Sequence, residues 1–237
     1  MKKITIALDG HSSTGKSTIA QRLAAALGYV YVDTGAMYRA ITLFALDRGL
    51  IDAQGEIDLP GLIGSLPEAK LEFVPDADSG RSQMHLNGKN VEREIRTMRV
   101  SNLVSRVSAI AEVREMLVEM QQKMGQKKGI VMDGRDIGTV VFPDAELKLF
   151  LTASPETRAA RRYKELLDRG EDVGYAEVLK NVQERDRIDS TRAVSPLRRA
   201  KDAIAFDNSD MGLEEQFERI HYYALRLIQK LSDQSAN

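Results

Sequence analysis

One octapeptide limits the fold of this chain more than any other feature: Gly10-His11-Ser12-Ser13-Thr14-Gly15-Lys16-Ser17. It matches the Gly-x-x-x-x-Gly-Lys-Ser phosphate-binding loop, in which glycines let successive backbone N–H groups turn toward one anion. Such a loop works between a buried strand and a helix whose positive dipole end faces the anion. A flexible glycine–serine turn is the plain alternative, and the flanking residues distinguish the two.

The flanks of the loop have the required patterns. Residues 4–8 form a short β-branched apolar run, typical of a strand buried on both faces, and Asp9 and Gly10 are expected to break it. A helix is expected from Lys16, with apolar residues every four positions at Ile19, Leu23 and Leu27. Gly28 is a favourable helix stop, and residues 29–32 are a second apolar strand. This order predicts the βαβ opening of a parallel sheet.

Three later segments repeat the buried-strand pattern, at residues 130–132, 147–151 and 203–206. Helical stretches separate them. The predicted fold class is therefore α/β: the fold of phosphate-loop nucleoside triphosphatases, with five parallel strands flanked by helices.

The middle of the chain departs from this rhythm. Residues 71–74, residues 83–86 and Val91 have the pattern of antiparallel strands, and Asn87-Gly88 is a strong hairpin-turn dipeptide. We therefore expect a small antiparallel insert over about residues 60–95.

Composition excludes several classes of protein. The chain has no cysteine, so disulfide scaffolds, cysteine-ligated metals and thiol nucleophiles are excluded. The formal net charge is −1 and the sequence pI about 6.4, so no global basic field for nucleic acid is expected. The amino terminus lacks the apolar core of a signal peptide, and no apolar run is long enough to span a bilayer. We expect a cytoplasmic protein without a membrane or nucleic-acid partner.

The loop pattern predicts specific roles. Lys16 is expected to reach the β- and γ-phosphates of a nucleoside triphosphate, and the Ser17 hydroxyl to ligate Mg²⁺. The residues expected to surround the triphosphate are Gly10, His11, Ser12, Ser13, Thr14, Gly15, Lys16, Ser17 and Thr18.

A second polar motif, Asp33-Thr34 followed by Arg39, comes after the second strand. Ligands of open parallel sheets bind beyond the carboxyl ends of the strands, so Asp33 should face the phosphate loop. Arg39 could hold a second phosphate. A helix cap at Asp33 or Thr34 with a solvated arginine is the alternative.

A third motif, Asp133-Gly134-Arg135-Asp136, follows the strand at residues 130–132. An apolar run that ends in aspartate resembles the acidic motif that holds magnesium or its waters, which makes Asp133 a candidate metal ligand. Arg135 and Asp136 offer a charge pair at the same place, and a structural salt bridge is the alternative.

Arginines cluster in the last third of the chain. Arg158, Arg161 and Arg162 are spaced for one helix face, where a lid closing over triphosphate would supply an anion and exclude water. A solvated basic face is the alternative. A further charged cluster contains Glu184, Arg185, Asp186, Asp189 and Arg192. The alternative for this cluster is a helix face on which the acidic and basic side chains pair with one another.

Four segments together resemble one family. The segments D-G-H-S-S-T-G-K-S-T, D-T-G-A-M-Y-R, D-G-R-D-I-G-T-V-V-F-P-D-A and R-D-x-x-D-S-T-R-A-V-S-P-L closely resemble bacterial cytidylate kinases, which are phosphate-loop nucleoside-monophosphate kinases. The resemblance covers nearly the whole chain. It implies phosphorylation of CMP and dCMP by ATP with Mg²⁺ in a monomer. It also implies a core (residues 1–34, 100–153 and 193–237), a monophosphate-binding domain (35–99) carrying the insert, and a lid (154–192).

The resemblance also implies residue roles. Contacts to the acceptor phosphate would come from Ser12, Arg39, Arg135 and Arg192, beside Asp33 and Thr34. Asp189, helped by Arg185, would bind the sugar hydroxyls, and the cytosine would be recognised by Ser105, Arg114 and Asp136. Charge neutralisation during transfer would come from Lys16, Arg135, Arg158, Arg161 and Arg162. A carboxylate suits the amino group of cytosine, whereas the carbonyl of uracil would face it acceptor to acceptor.

Some positions depart from the family pattern. His11 stands where proline is frequent, and Ser17 stands where some members have glycine, which puts in doubt how essential its hydroxyl is for magnesium. Two rival functions remain open from the residues. One is another small-molecule kinase of this fold, acting on UMP, AMP or shikimate. The other is a nucleotide-gated binding module or nucleic-acid protein that uses the arginines of residues 158–199.

Overall fold

The structure is a computed structural model that describes residues 2–76 and 82–234. The chain divides into two compact units: Met1–Asp33 with Met120–Asn237, and Thr34–Glu119. We call them the larger and the smaller unit and describe each by itself. The three-part layout with a separate lid stays a prediction.

Within the described residues, the strands are β1 (Thr5–Gly10), β2 (Val30–Asp33), β3 (Leu71–Pro75), β4 (Ser82–Leu86), β5 (Lys89–Asn90), β6 (Ile130–Gly134), β7 (Leu147–Thr152) and β8 (Ile204–Asp207). The α-helices are α1 (Lys16–Leu27), α2 (Thr34–Asp47), α3 (Leu59–Ser65), α4 (Met98–Ser101), α5 (Val104–Val107), α6 (Ala111–Gly125), α7 (Pro155–Asp168), α8 (Tyr175–Thr191) and α9 (Leu213–Asp233). Single turns of 3₁₀-helix form at Leu66–Glu68 and Glu94–Arg96, and a π-helical turn forms at Ile137–Val141. No helix of these described stretches combines the length and the apolar character needed to cross a membrane.

The larger unit contains a five-stranded parallel sheet in the order β2-β6-β1-β7-β8, which confirms the predicted fold class. Its apolar core combines residues of β1 and β7, such as Leu8 and Leu149, with residues of the covering helices, such as Ile19 of α1 and Ile220 of α9. The central strand is buried along its whole length. The loop that follows β1 therefore leaves from the middle of a rigid sheet.

The expectation that Asp9 and Gly10 break the first strand was wrong. Both residues belong to β1, because their backbones pair with Gly134 of β6 and with Phe150 and Leu151 of β7. Pairing with β6 and β7 at Asp9, and with β7 at Gly10, keeps the backbone extended, whichever side chain the residue carries. As a result, the carboxylate of Asp9 is buried at the carboxyl end of the central strand.

The smaller unit contains the antiparallel sheet β3-β4-β5, which confirms the predicted insert in the described part of the chain. Asn87 and Gly88 form the hairpin turn with φ angles of 51° and 79°, a left-handed pair that Asn-Gly adopts readily. The third strand is Lys89–Asn90, one residue short of Val91. Residues 77–81 of the predicted insert lie outside the described residues.

Candidate active site

The phosphate loop leaves β1 through a position that only glycine can occupy. A Cβ on Gly10 would lie 2.1 Å from the carbonyl oxygen of Leu151 on the neighbouring strand, and its φ is 146°. Gly15 has a φ of 90° and stands at the amino end of α1. The two glycines therefore allow a turn tight enough for the N–H groups of the loop to face one point, as the sequence predicts.

Lys16 is buried at the start of α1, with 4% of its surface exposed. Its ammonium donates to the carbonyl oxygen of His11 and, at 3.2 Å, to the hydroxyl of Thr14. Burial, and next the positive charge of Arg135, lower the pKa of Lys16 from 10.5 to about 7, against the opposing charges of Asp133 and Asp9. A desolvated cation beside another cation is a site that favours a polyanion.

A cluster of arginines adds to this positive charge. Arg135 donates from Nε to Oδ2 of Asp189 at 2.8 Å, and the Asp189 charge raises the pKa of Arg135 in spite of burial. Burial and then the charge of Arg135 lower the pKa of Arg185 to about 10. Nε of Arg185 is buried without a hydrogen-bond partner among the described residues. The single negative charge of Asp189 therefore faces two arginines, Arg135 and Arg185. Both arginines lie close enough to Lys16 for their positive charges to lower the pKa of Lys16.

Arg135 and Asp136, the two charged groups that the sequence offers after β6, each lie near a residue at the carboxyl end of α8 or just after it. Arg135 reaches Asp189 of α8, while Oδ1 of Asp136 lies 3.9 Å from Nη2 of Arg192. Arg192 donates from Nε and Nη2 to the carbonyl oxygen of Ser195, at 2.9 and 2.7 Å. The direction of a side chain in the turn after β6 is set by contacts with α8, which sequence neighbours do not reveal.

The three arginines of α7 find acceptors within the protein. Arg158 holds Asp186 through two hydrogen bonds of 2.9 and 2.5 Å, and Arg162 donates to Glu165 at 2.9 Å. Arg161 donates to Asn208. Hence no bound anion is needed to hold these cations together, although the sequence suggested one.

Asp186 also lies beside the phosphate loop. Its Oδ1 is 3.1 Å from Nδ1 of His11. Burial opposes the ionised form, but hydrogen bonds from His11 and Arg158 lower the pKa of Asp186 to about 2. A residue of the predicted lid region therefore contacts the loop in this structure.

Two candidate metal ligands lie together at the carboxyl end of β6. Ser17 donates to Oδ2 of Asp133 at 3.0 Å, and the hydroxyl of Tyr31 donates to Oδ1 at 2.8 Å. Burial, and next the charge of Asp33, raise the pKa of Asp133 to about 6. No group of three or more histidine, aspartate or glutamate side chains in residues 2–76 and 82–234 is arranged to hold a metal. One carboxylate and one hydroxyl fit Mg²⁺, which keeps waters and phosphate oxygens as its other ligands.

A cavity of about 340 Å³ adjoins the loop. Its volume lies within the range of small-ligand sites. The lining residues are Ser13, Gly15, Thr18, Arg161, Arg162, Glu165, Asn208, Met211, Leu213 and Gln216.

Sequence reasoning missed the role of Asp9. Its two carboxylate oxygens accept hydrogen bonds from the N–H groups of Ile137 and Gly138, each at 2.7 Å, and burial raises its pKa to about 7. These donors open the π-helical turn directly after Asp136. One carboxylate thus ties the root of the phosphate loop to the segment that carries Arg135 and Asp136. No spacing pattern links residues so distant in sequence.

In the smaller unit, two of the three predicted base-recognition residues, Ser105 and Arg114, are linked through Ser108, whereas Asp136 belongs to the larger unit. Ser105 is buried, and its carbonyl oxygen accepts from the hydroxyl of Ser108 at 3.0 Å. The carbonyl oxygen of Ser108 accepts from Nη1 of Arg114 at 3.2 Å. The Arg114 guanidinium lies 5.3 Å from the ring centroid of Tyr38, a residue of the D-T-G-A-M-Y-R segment to which the sequence analysis gave no role. A hydroxyl and a guanidinium can hydrogen-bond to the polar edge of a nucleobase.

The remaining predicted substrate residues near the second strand are Asp33, Thr34 and Arg39. Arg39 donates to the hydroxyl of Ser101 at 3.0 Å and to the carbonyl oxygen of Ile95 at 3.3 Å, so it is not a solvated arginine. Asp33 ends β2 and Thr34 begins α2, and both are buried. The division between the two units falls between Asp33 and Thr34.

A family model and the similar curated proteins all point to the same family. The family model of cytidylate kinases matches residues 6–226. A cytidylate kinase of Flavobacterium psychrophilum is 61% identical over 92% of this chain and 96% of its own length. The cytidylate kinase of Flavobacterium johnsoniae is 59% identical over 93% and 95%, and that of Bacteroides fragilis is 55% identical over 92% and 95%.

Proposed function

This chain belongs to the cytidylate kinase family, and we propose that it transfers the γ-phosphoryl group of ATP, with Mg²⁺, to CMP and dCMP to give CDP and dCDP. The observation that carries the proposal is the buried Lys16, held in a complete phosphate loop beside an excess of arginine charge. Such a site favours a polyanion, and a kinase must hold two phosphate-bearing substrates there.

We assign the donor to the loop and its cavity. Backbone N–H groups of residues 10–18 and the ammonium of Lys16 would bind the triphosphate, and the cavity of about 340 Å³ would accept the adenosine. Ser17 and Asp133 would hold Mg²⁺, which would neutralise part of the negative charge of the phosphates. Arg158, Arg161 and Arg162 would exchange their present acceptors for phosphate oxygens.

We assign the acceptor by unit. In the larger unit, Ser12, Arg135 and Arg192 would bind the phosphate of CMP, Asp189 and Arg185 the sugar hydroxyls, and Asp136 the amino group of cytosine. In the smaller unit, Arg39 would bind phosphate, and Ser105 and Arg114 would bind the base. Asp33 and Thr34 complete the proposed substrate contacts.

The chemistry that these residues perform is positioning and charge neutralisation. The attacking oxygen belongs to a phosphate that is already an anion, so it needs no strong general base. Lys16 and the arginines would lower the cost of bringing two anionic phosphates together and of the charge on the transferring group. No covalent enzyme intermediate is expected.

An acceptor panel tests the proposal. ADP release from ATP is measured in a coupled assay with CMP, dCMP, UMP, AMP and shikimate as acceptors. CMP and dCMP should give the highest kcat/KM. A higher kcat/KM with AMP or shikimate would contradict the proposal and favour another kinase of the same fold. Cytoplasmic location and the monomeric state stay predictions from the sequence.

A further inference from the structure

Three carbonyl oxygens of the phosphate loop are each captured by a side chain. The oxygen of His11 accepts from Lys16 and from the hydroxyl of Thr14, the latter at 3.0 Å. The oxygen of Ser12 accepts from Nη1 of Arg158 at 3.3 Å. The oxygen of Thr14 accepts from Nδ2 of Asn208. The donors to the His11 oxygen belong to the loop and α1, whereas the donors to the other two oxygens, Arg158 and Asn208, come from distant parts of the chain.

The capture of a carbonyl sets the direction of the next N–H group. A trans peptide is planar, and its N–H points opposite to its C=O; none of the described peptide bonds is cis. When Asn208 holds the Thr14 oxygen, the N–H of Gly15 must point away from Asn208. A loop that binds phosphate through its N–H groups depends on this direction. Gly15 has a φ of +90°, but a glycine, without a Cβ, can adopt either sign of φ, so the residue itself does not fix the orientation of the peptide.

Asn208 is itself fixed in orientation. It is 3% exposed and follows β8, and its backbone N–H donates to the oxygen of Thr152 at 2.9 Å. Its side-chain oxygen and backbone oxygen accept from Arg161, at 3.3 and 2.8 Å. Because a guanidinium only donates and the Thr14 carbonyl only accepts, the amide has one orientation that satisfies both. The oxygen of Gln216, 3.5 Å from Nδ2, agrees with that orientation.

We propose that Asn208 is a positioning residue for the donor nucleotide, which holds the Thr14–Gly15 peptide so that the Gly15 N–H faces the phosphate. This inference rests on the proposed binding of ATP at the loop. Asn208 acts through the loop backbone and through Arg161, and it is not assigned a role in recognising CMP. Loss of the Asn208 side chain should therefore weaken the binding of ATP and leave the binding of CMP unchanged.

Two variants and one control test the proposal. Asn208→Asp keeps the shape of the side chain and an acceptor for Arg161 but removes the donor to Thr14. Asn208→Ala removes the donor without adding charge. Each should raise the KM and the Kd of ATP by roughly tenfold or more, since a buried carbonyl loses its partner and the loop its orientation, while the KM of CMP stays within about twofold. Ser209→Ala is the matched control, because Ser209 anchors the same segment through Ser154 and Asp207. It should leave the ATP affinity unchanged.

Unchanged ATP affinity in either folded variant would overturn the positioning role. Equal loss for ATP and CMP would also overturn it, because it would indicate a general structural effect. If neither variant folds, the wild-type chain answers the question: the amide resonance of Gly15 should shift when inorganic tripolyphosphate is added, whereas that of Gly64 should not. A Gly15 resonance that stays in place would overturn the inference. Failure of the proposed function is distinct, since wild-type protein would then show no CMP-dependent release of ADP.

Discussion

Tyr31 donates a 2.8 Å hydrogen bond to Oδ1 of Asp133, while the hydroxyl of Ser17 holds the other oxygen at 3.0 Å. Tyr31 is half-buried on β2, at the strand next to β6, so the sheet itself places the phenol beside the carboxylate. The bond favours the ionised form of Asp133, against the burial that raises its pKa to about 6. A carboxylate held in this way is both oriented and charged, which a magnesium ligand requires.

Tyr31→Phe should therefore weaken the binding of Mg²⁺. Without the hydroxyl, the pKa of Asp133 should rise further and its orientation loosen, so the Mg²⁺ concentration for half-maximal activity should increase by about tenfold. The measurement is a magnesium titration at saturating nucleotides. Tyr29→Phe is the control, because that hydroxyl accepts from the N–H of Ile4, away from the site. An unchanged magnesium requirement in Tyr31→Phe would show that the bond is only structural.

Lys16→Ala should lower turnover by roughly 100-fold or more, because the cation nearest the transferring phosphate is lost. The fold should persist, since the His11 oxygen keeps its 3.0 Å hydrogen bond from Thr14. Steady-state kinetics and a thermal unfolding curve check the two parts, with Lys127→Ala as an exposed control. Near-normal turnover in a folded Lys16→Ala protein would defeat the kinase assignment at this loop.

The binding of ATP should take up a proton near pH 8. The pKa of Lys16 is about 7 in the free protein, below its ordinary 10.5, so the side chain is mostly neutral at pH 8. A bound polyphosphate favours the ammonium and raises this pKa, so affinity should fall by roughly tenfold for each pH unit above 7 until the raised pKa is reached. Calorimetry at pH 8 in two buffers of different ionisation enthalpy measures the uptake. Heats that do not depend on the buffer would contradict the prediction.

Asp136→Ala should reduce the preference for CMP over UMP. The wild-type carboxylate would accept from the amino group of cytosine and face the carbonyl of uracil, so the ratio of kcat/KM values should fall by about tenfold. Both acceptors are compared in the coupled assay, and Asp144→Ala, an exposed site in the same segment, is the control. Equal losses for CMP and UMP would mean that Asp136 does not recognise the base.

Much of this molecule follows from local sequence patterns. The order of strand, glycine-flanked loop and helix at residues 4–28 is as predicted, although the strand continues through Asp9 and Gly10, because the order of apolar residues and glycines is enough to specify it. The hairpin at Asn87-Gly88 follows for the same reason, since its left-handed turn needs those residue types. The carboxyl-end aspartates Asp33 and Asp133 lie side by side in register, as a parallel sheet requires.

The partners of the charged residues did not follow from the sequence. Arg135 bonds to Asp189, which lies more than fifty residues further along the chain, and the arginines of α7 divide among Asp186, Asn208 and Glu165. Charge clusters in a sequence limit which pairs can form. Which pairs do form depends on how helices pack on the sheet.

The sequence by itself determined a parallel α/β sheet with a phosphate-binding loop, because those features depend on residues close together in the chain. Only the tertiary structure decided that Asp9 holds Ile137 and Gly138, that Tyr31 holds Asp133 and that Asn208 holds Thr14. The physical reason is the strand order β2-β6-β1-β7-β8, which brings residues from distant parts of the chain to one edge of the sheet. Hydrogen bonds then form between whichever donors and acceptors that edge brings together.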